Sequence, residues 1–264
     1  TFQSSTEEIL FKICDWFSVN KLVLNCNKTN IIQFKSCPNS TSQISSAIIN
    51  NRSLLETTTT KFLGLKIDNV LNWKNHIKEI TPKLNSACFA IRSMQKIVNI
   101  NTLKTIYFAY FHSVMSFGII FWGNSTDSNS IFLLQKRVIR IIVGAKSRES
   151  CRTIFKKLQI MPMACQYIFS LIIFLVCNRE NFVTNSTVHS INTRQKNDFH
   201  TPSASLSCYQ KGVRYMAVKI FNSLPIDIKN ETQNIKLFRA KLKKYLISHA
   251  FYSVGEFMTF NNTS

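Results

Sequence analysis

The spacing of apolar residues changes period at Asn72, and this change restricts the chain to a mixed fold. Before it, Glu7 to Val19 places Ile9, Ile13, Trp16 and Phe17 at helical intervals behind Ser/Thr and acidic residues suited to a first turn. Short apolar runs follow: Leu22-Val23-Leu24, Asn30 to Phe34, Ile44 to Ile49, and Lys61 to Ile67. In the last, Phe62, Gly64 and Lys66 alternate with Leu63, Leu65 and Ile67. Asn, Ser, Thr and Pro38 punctuate the gaps as turns. A helix followed by three or four short antiparallel strands reads as the end of an α+β domain.

After Asn72 the period is that of helices. Trp73, Ile77, Ile80, Leu84 and Cys88 recur at intervals of three and four up to Met94. A second helix is expected through Tyr107 and Tyr110 to Phe121. In a third, Ile131, Leu134, Val138, Ile141 and Ile142 share a face opposite Lys136, Arg137 and Arg140. Further helices are expected over Cys151 to Leu158, Tyr167 to Arg179, Tyr209 to Leu224 and Ile235 to Ser248, the last two separated at Leu224-Pro225. Residues 180–208 are polar with little periodicity and read as a loop or mobile linker.

Charge narrows the partners. Thirty-three Lys and Arg against 13 Asp and Glu give a net +20, which favours a polyanion. Between Lys136 and Lys157 there are eight cations and one acid, Glu149; between Lys211 and Lys244 there are nine, against Asp227 and Glu231. Lys136, Arg137 and Arg140 form one candidate phosphate-neutralising face, and Arg239, Lys243 and Lys244 extend another. Either also reads as an ordinary solvated helix face. The eight cysteines show no Cys-x-x-Cys pair and no zinc-ribbon or finger spacing, so no metal site is expected. Most of them sit among apolar neighbours, as small buried side chains of a reducing, intracellular compartment, cytoplasmic or nuclear. Two apolar stretches, Thr105 to Gly123 and Tyr167 to Cys177, raise a membrane-associated helical protein as an alternative, although buried core helices account for both.

Catalytic groups are sparse. Asp15, Asp68, Asp127, Asp198 and Asp227 stand apart, and no strand carries two acids close enough to hold a pair of metal ions. No phosphate-cradling glycine loop and no Gly-x-Ser-x-Gly occurs. By itself the chain reads as non-catalytic.

Several blocks in order carry a resemblance. They begin with Trp16 to Phe34 (WFSVNKLVLNCNKTNIIQF), then Lys61-Phe62-Leu63-Gly64-Leu65 with Ile67-Asp68, Leu71-Asn72-Trp73 and Asn75-His76-Ile77. Tyr107, Ser113, Phe117-Gly118 and Trp122-Gly123 follow, then Gln135-Lys136-Arg137 with Ile139-Arg140. The last are Tyr215, Phe221-Asn222, Leu224-Pro225, Phe238, Tyr245-Leu246 and Phe251-Tyr252-Ser253 with Glu256-Phe257. Together they resemble the C-terminal part of the reverse transcriptase, an RNA-directed DNA polymerase, of Jockey-like non-LTR (LINE) retrotransposons.

The resemblance implies that 1–71 is the end of a polymerase palm, 72–160 a helical thumb and 161–264 a basic C-terminal region. It places Asn25, Lys28 and Thr29 in the motif after the palm active site. There Lys28 would protonate leaving pyrophosphate, and it also reads as a plain turn lysine. Phe62, Leu63 and Gly64 fall at the primer-grip hairpin, where a glycine lets another backbone approach, or simply forms a bulge. Lys136, Arg137 and Arg140 would lie on the template–primer duplex. The implied partners are an RNA template, a DNA primer or their duplex, and the upstream palm and fingers. Mg2+ is implied for the intact parent polymerase. The family's Phe/Tyr-x-Asp-Asp does not occur in this sequence, which begins at Thr1 rather than Met and is expected to be a fragment. The alternative is a non-catalytic basic module that binds RNA or DNA.

Overall fold

The computed structural model describes residues 2–34, 48–49, 52–188 and 198–262, in two units, Thr1–His76 and Ile77–Ser264. The fold is α+β in the coarse sense, predominantly helical with a little β-structure in the N-terminal unit.

Helix α1 spans Phe2–Val19. Lys21 then turns left-handed (φ 55°), and the Leu22 amide donates back to the Phe17 carbonyl at 2.8 Å. This is the six-to-one bond that closes a helix C-terminus. It uses Leu22 in the cap, so the expected Leu22–Leu24 strand does not form. Strand β1 covers Asn30–Ile31 only. It pairs in parallel with β4, Leu55–Glu56, where an antiparallel partner was expected. Strand β2 (Ile48–Ile49) pairs antiparallel with β3 (Arg52–Ser53); residues 44–47 of the expected Ile44–Ile49 strand lie outside the described residues.

The run Lys61 to Ile67 is not one strand. Its alternation is cut by a two-residue turn, Leu63-Gly64, between β5 (Thr59–Phe62) and β6 (Leu65–Asp68), with Phe62 opposite Leu65. Both turn residues have positive φ, 46° and 84°, as a hairpin turn matched to strand twist requires. Period-two counting cannot see such a turn, because a two-residue loop preserves the parity of the apolar positions.

Helix α2, Lys74–Met94, crosses the boundary between the units. In the helical unit, α3 (Ile100–Ile106) runs into a π-helical turn, Tyr107–His112, and then α4 (Ser113–Ser116). Phe117 is extended and Gly118 left-handed (φ 59°) before α5 (Ile119–Trp122). The uncharged Thr105–Gly123 stretch is therefore broken rather than one long helix. Gly123 is required by close approach, since a Cβ there would lie 2.6 Å from the Ile119 carbonyl oxygen and 2.7 Å from the Tyr167 ring.

Next come α6 (Ser128–Val143), α7 (Cys151–Leu158) and α8 (Met163–Cys177). Helix α8 is apolar on nearly every side, and α5, α6, α11, α13 and α14 pack around it, as an all-round apolar helix in the middle of a core should be. Among the described residues no single helix is long and apolar enough to cross a membrane; α7 and α8 together pass by composition but are bent by 49°.

The 180–208 segment contains α9 (Asn185–Val188), a bridge from Thr184 to Phe199 and the start of α10 (Ser207–Gln210); its residues 189–197 lie outside the described residues. The remaining helices are α11 (Val213–Asn222), α12 (Ile226–Lys229), α13 (Ile235–His249) and α14 (Val254–Asn262). The sequence reading missed α14. Its signal was present as Ser253-x-x-Glu256, a capping pair: the Glu256 amide donates to Ser253 Oγ at 3.0 Å, and Glu256 Oε2 accepts from the Tyr252 amide at 2.8 Å.

A single buried amide joins the core elements. Gln135, with no exposed surface, donates through Nε2 to the Tyr107 hydroxyl and the Met161 carbonyl, both at 2.9 Å. Its Oε1 accepts from the Met163 amide at 2.7 Å, serving one of the open N–H groups at the start of α8. Burial pushes the Tyr107 hydroxyl pKa well above the ordinary tyrosine value. Gln135→Leu leaves three buried polar groups short of a partner and is predicted to cost about 3 kcal/mol, lowering the thermal midpoint by roughly 10 °C. Tyr107→Phe should cost less, because Nε2 keeps the Met161 carbonyl. Equal melting of Gln135→Leu and the parent chain in calorimetry would refute this role.

Candidate functional site

The N-terminal unit presents its hairpin turn to solvent. Phe62 and Leu63 are 59% and 79% exposed, and Gly64 is exposed as well. A leucine in the left-handed region costs about 1–2 kcal/mol relative to its usual conformation. An apolar, strained and uncovered turn is an unusual combination, and strain of this kind is characteristic of binding sites.

Asp68 fixes the base of this hairpin. Its carboxylate is 3% exposed and accepts three backbone N–H groups: Oδ1 from Val70 at 3.2 Å and Asn72 at 3.0 Å, Oδ2 from Trp73 at 3.0 Å. Leu71 and Trp73 in that corner are themselves left-handed, at φ 55° and 66°. Three charge-assisted bonds outweigh the strain of two such residues. The chain then turns into α2, and the His76 imidazole receives the Lys66 amide at 3.3 Å on Nδ1. Asp68 is thus a structural carboxylate fully engaged by backbone.

Asn25, Lys28 and Thr29 come together in one tight turn. The Asn25 carbonyl accepts from the Lys28 amide at 3.0 Å and from Thr29 Oγ1 at 2.9 Å. This leaves the Lys28 side chain exposed. Both groups belong to the N-terminal unit, whereas Lys136, Arg137 and Arg140 belong to the helical one.

On α6 the three cations share one side of the helix, Lys136 and Arg140 four apart and Arg137 and Arg140 three apart, but each side chain takes different neighbours. The Lys136 ammonium sits 4.6 Å from the Phe132 ring centre and 5.7 Å from that of Tyr252. Arg152 covers Tyr252 at 4.5 Å and forms a 2.6 Å ion pair with Glu256. Burial alone would raise the Glu256 pKa; the Arg152 hydrogen bond and charge, with the Tyr252 amide, outweigh it and hold it below the ordinary value. Arg140 Nε donates to the Glu149 carbonyl at 2.9 Å, tying down the loop before α7. Arg137 alone turns toward α2, where it lines a cleft with Asn85, Cys88, Phe89 and Arg92. Sequence spacing missed Arg92, whose partner on α6 is 45 positions away in the chain.

On α13, Arg239, Lys243 and Lys244 are exposed, whereas Lys241 is drawn to Glu231 at 3.1 Å and to the Asp227 carbonyl at 2.7 Å. Burial, and secondarily the charge of Lys243, lowers the pKa of His112 on the neighbouring π turn. No three His, Cys, Asp or Glu side chains converge among the described residues. The Mg2+ implied for the parent polymerase therefore finds no fitting donor set in the described residues. No family model, no curated protein and no solved structure matches the chain.

Asp68→Ala should cost about 2 kcal/mol, by removing charge-assisted bonds from three part-buried N–H groups. It should also speed amide exchange at Val70, Asn72 and Trp73 more than at residues of α8. Uniform acceleration throughout the chain, or none, would show that the carboxylate does not hold this corner.

Proposed function

We propose that this chain is the C-terminal part of a Jockey-like non-LTR retrotransposon reverse transcriptase, and that its task is to hold template and primer rather than to carry the catalytic carboxylates. The observation that carries the reading is the Phe62-Leu63-Gly64 turn. An apolar tip of strained backbone, exposed and anchored at its base by Asp68, stands where the resemblance puts the primer grip. A glycine at the tip lets a nucleic-acid backbone approach closely, and the exposed Phe62 ring offers a surface for the last sugar or base.

Two further features support the same reading. The net charge of +20 supplies the salt-dependent attraction that a phosphate backbone requires. The chemistry left to the chain is positioning, since its aspartates are scattered and the one at the hairpin base is bonded to backbone. Lys28, exposed on its turn, is the residue able to supply a proton to a leaving group in the complete polymerase.

Binding separates the grip from a merely basic surface. With a recessed RNA–DNA primer–template as probe, Phe62→Ser combined with Leu63→Ser should weaken binding about tenfold, with the slope of log affinity against log salt unchanged, because no cation is lost. If the double variant binds like the parent chain, the turn is not a grip, and the chain is better described as a general basic RNA- or DNA-binding module.

Parentage has its own test in the transcript upstream of the Thr1 codon. The proposal predicts an open frame that encodes Phe/Tyr-x-Asp-Asp on a strand-forming segment. A stop or unrelated sequence there would overturn the polymerase reading of the expressed product, whatever the binding result.

A further inference from the structure

The helical unit holds a second, smaller feature that none of the duplex-gripping residues explains apart from Arg137. Helices α2 and α6 leave between them a cleft of about 180 Å3, lined by Asn85, Cys88, Phe89, Arg92 and Arg137. No acid lines it, and among the described residues no ion pair engages Arg92 or Arg137. Cys88 is 3% exposed at its floor. Burial keeps the thiol neutral, against the pull of both arginines toward thiolate. Among the described residues, no carboxylate forms an ion pair with either guanidinium.

Size and chemistry together select the ligand. Sites for whole small molecules usually enclose about 300–1,000 Å3, so this cleft takes a single small group rather than a complete nucleotide. Two guanidinium groups and the Asn85 amide, all hydrogen-bond donors, suit a tetrahedral oxyanion. At the rim stands Phe89, 73% exposed on the same helix, an aromatic surface with no cover. A phosphate held beside a free aromatic ring is the arrangement by which proteins take hold of single strands, because the adjacent base can stack only if it is not already paired. A duplex hides its base faces and cannot use the ring.

We infer that the α2–α6 cleft is a docking notch for an unpaired nucleic-acid strand, with one backbone phosphate between Arg92 and Arg137 and the neighbouring base stacked on Phe89. This rests on the reading that the chain binds nucleic acid, and it adds to that reading a place for the strand outside the duplex.

The test compares two probes on the full chain, a fluorescein-labelled oligo(dT) and a blunt RNA–DNA duplex of equal length. Phe89→Leu should weaken oligo(dT) binding about tenfold, and Phe89→Tyr, which keeps the ring, should restore it. Arg92→Gln should reduce the log–log salt slope for oligo(dT) by up to about 0.7, the contribution of one single-strand phosphate. Both Phe89→Leu and Arg92→Gln should lower strand affinity by a larger factor than duplex affinity. Because Phe89 and Arg92 are surface residues, circular dichroism of each variant should match the parent chain. If the parent chain binds duplex and both variants bind oligo(dT) as it does, the notch is refuted while the gripping function stands. If the parent chain binds neither probe, the nucleic-acid reading fails and the notch with it.

Discussion

The helical unit is organised around one amide. Gln135 makes three hydrogen bonds inside a core that offers it no water, and each goes to a different element: the π turn, the link before α8 and the first turn of α8. Apolar packing alone is non-directional and tolerates helices sliding past one another. A buried group that must satisfy both its donor and its acceptor allows only one register, because any slip leaves it unpaired at the cost of a lost hydrogen bond. The close approach at Gly123 then sets the distance between α5 and α8. Lys136, Arg137 and Arg140 inherit their positions from this arrangement, since α6 carries Gln135 and the cations on the same turns.

In the N-terminal unit the corresponding device is a charge. Leu54 and Leu65 are the buried apolar side chains among its described residues, too few to define a corner by packing. Asp68 does so with backbone bonds and holds Leu71 and Trp73 in left-handed conformations that they would not choose. The result is a hairpin whose base is rigid and whose tip is free to touch something else. Apolar residues on α1, among them Phe11, Trp16 and Val19, are likewise exposed. Among the described residues of this unit, more large apolar side chains are exposed than buried.

Much of the secondary structure was legible. The helices at Lys74–Met94, Ser128–Val143, Cys151–Leu158 and Ile235–His249 follow the apolar spacing closely, because amphipathic period is a local property of the chain. The failures also have local causes. Alternation alone read a hairpin as one strand, because a two-residue turn keeps the period of two, although the resemblance had put a hairpin there; a helix cap consumed Leu22. The capping pair at Ser253 and Glu256 was readable and overlooked. Of the candidate site, Phe62, Leu63 and Gly64 were identified as a group, but their exposure and the anchoring by Asp68 were not.

The sequence by itself determined the helical texture after Asn72, the net positive charge and the separation of the five aspartates along the chain. Each depends only on residue types and their spacing. Tertiary structure decided which cations act together. It turned Lys136 onto aromatic rings, tied Arg140 to a loop carbonyl and brought Arg137 to Arg92 across 45 intervening steps of chain. The reason is geometric: helical period places residues on faces of one helix, whereas the partner of a face is chosen by how separate helices pack, which no local pattern encodes.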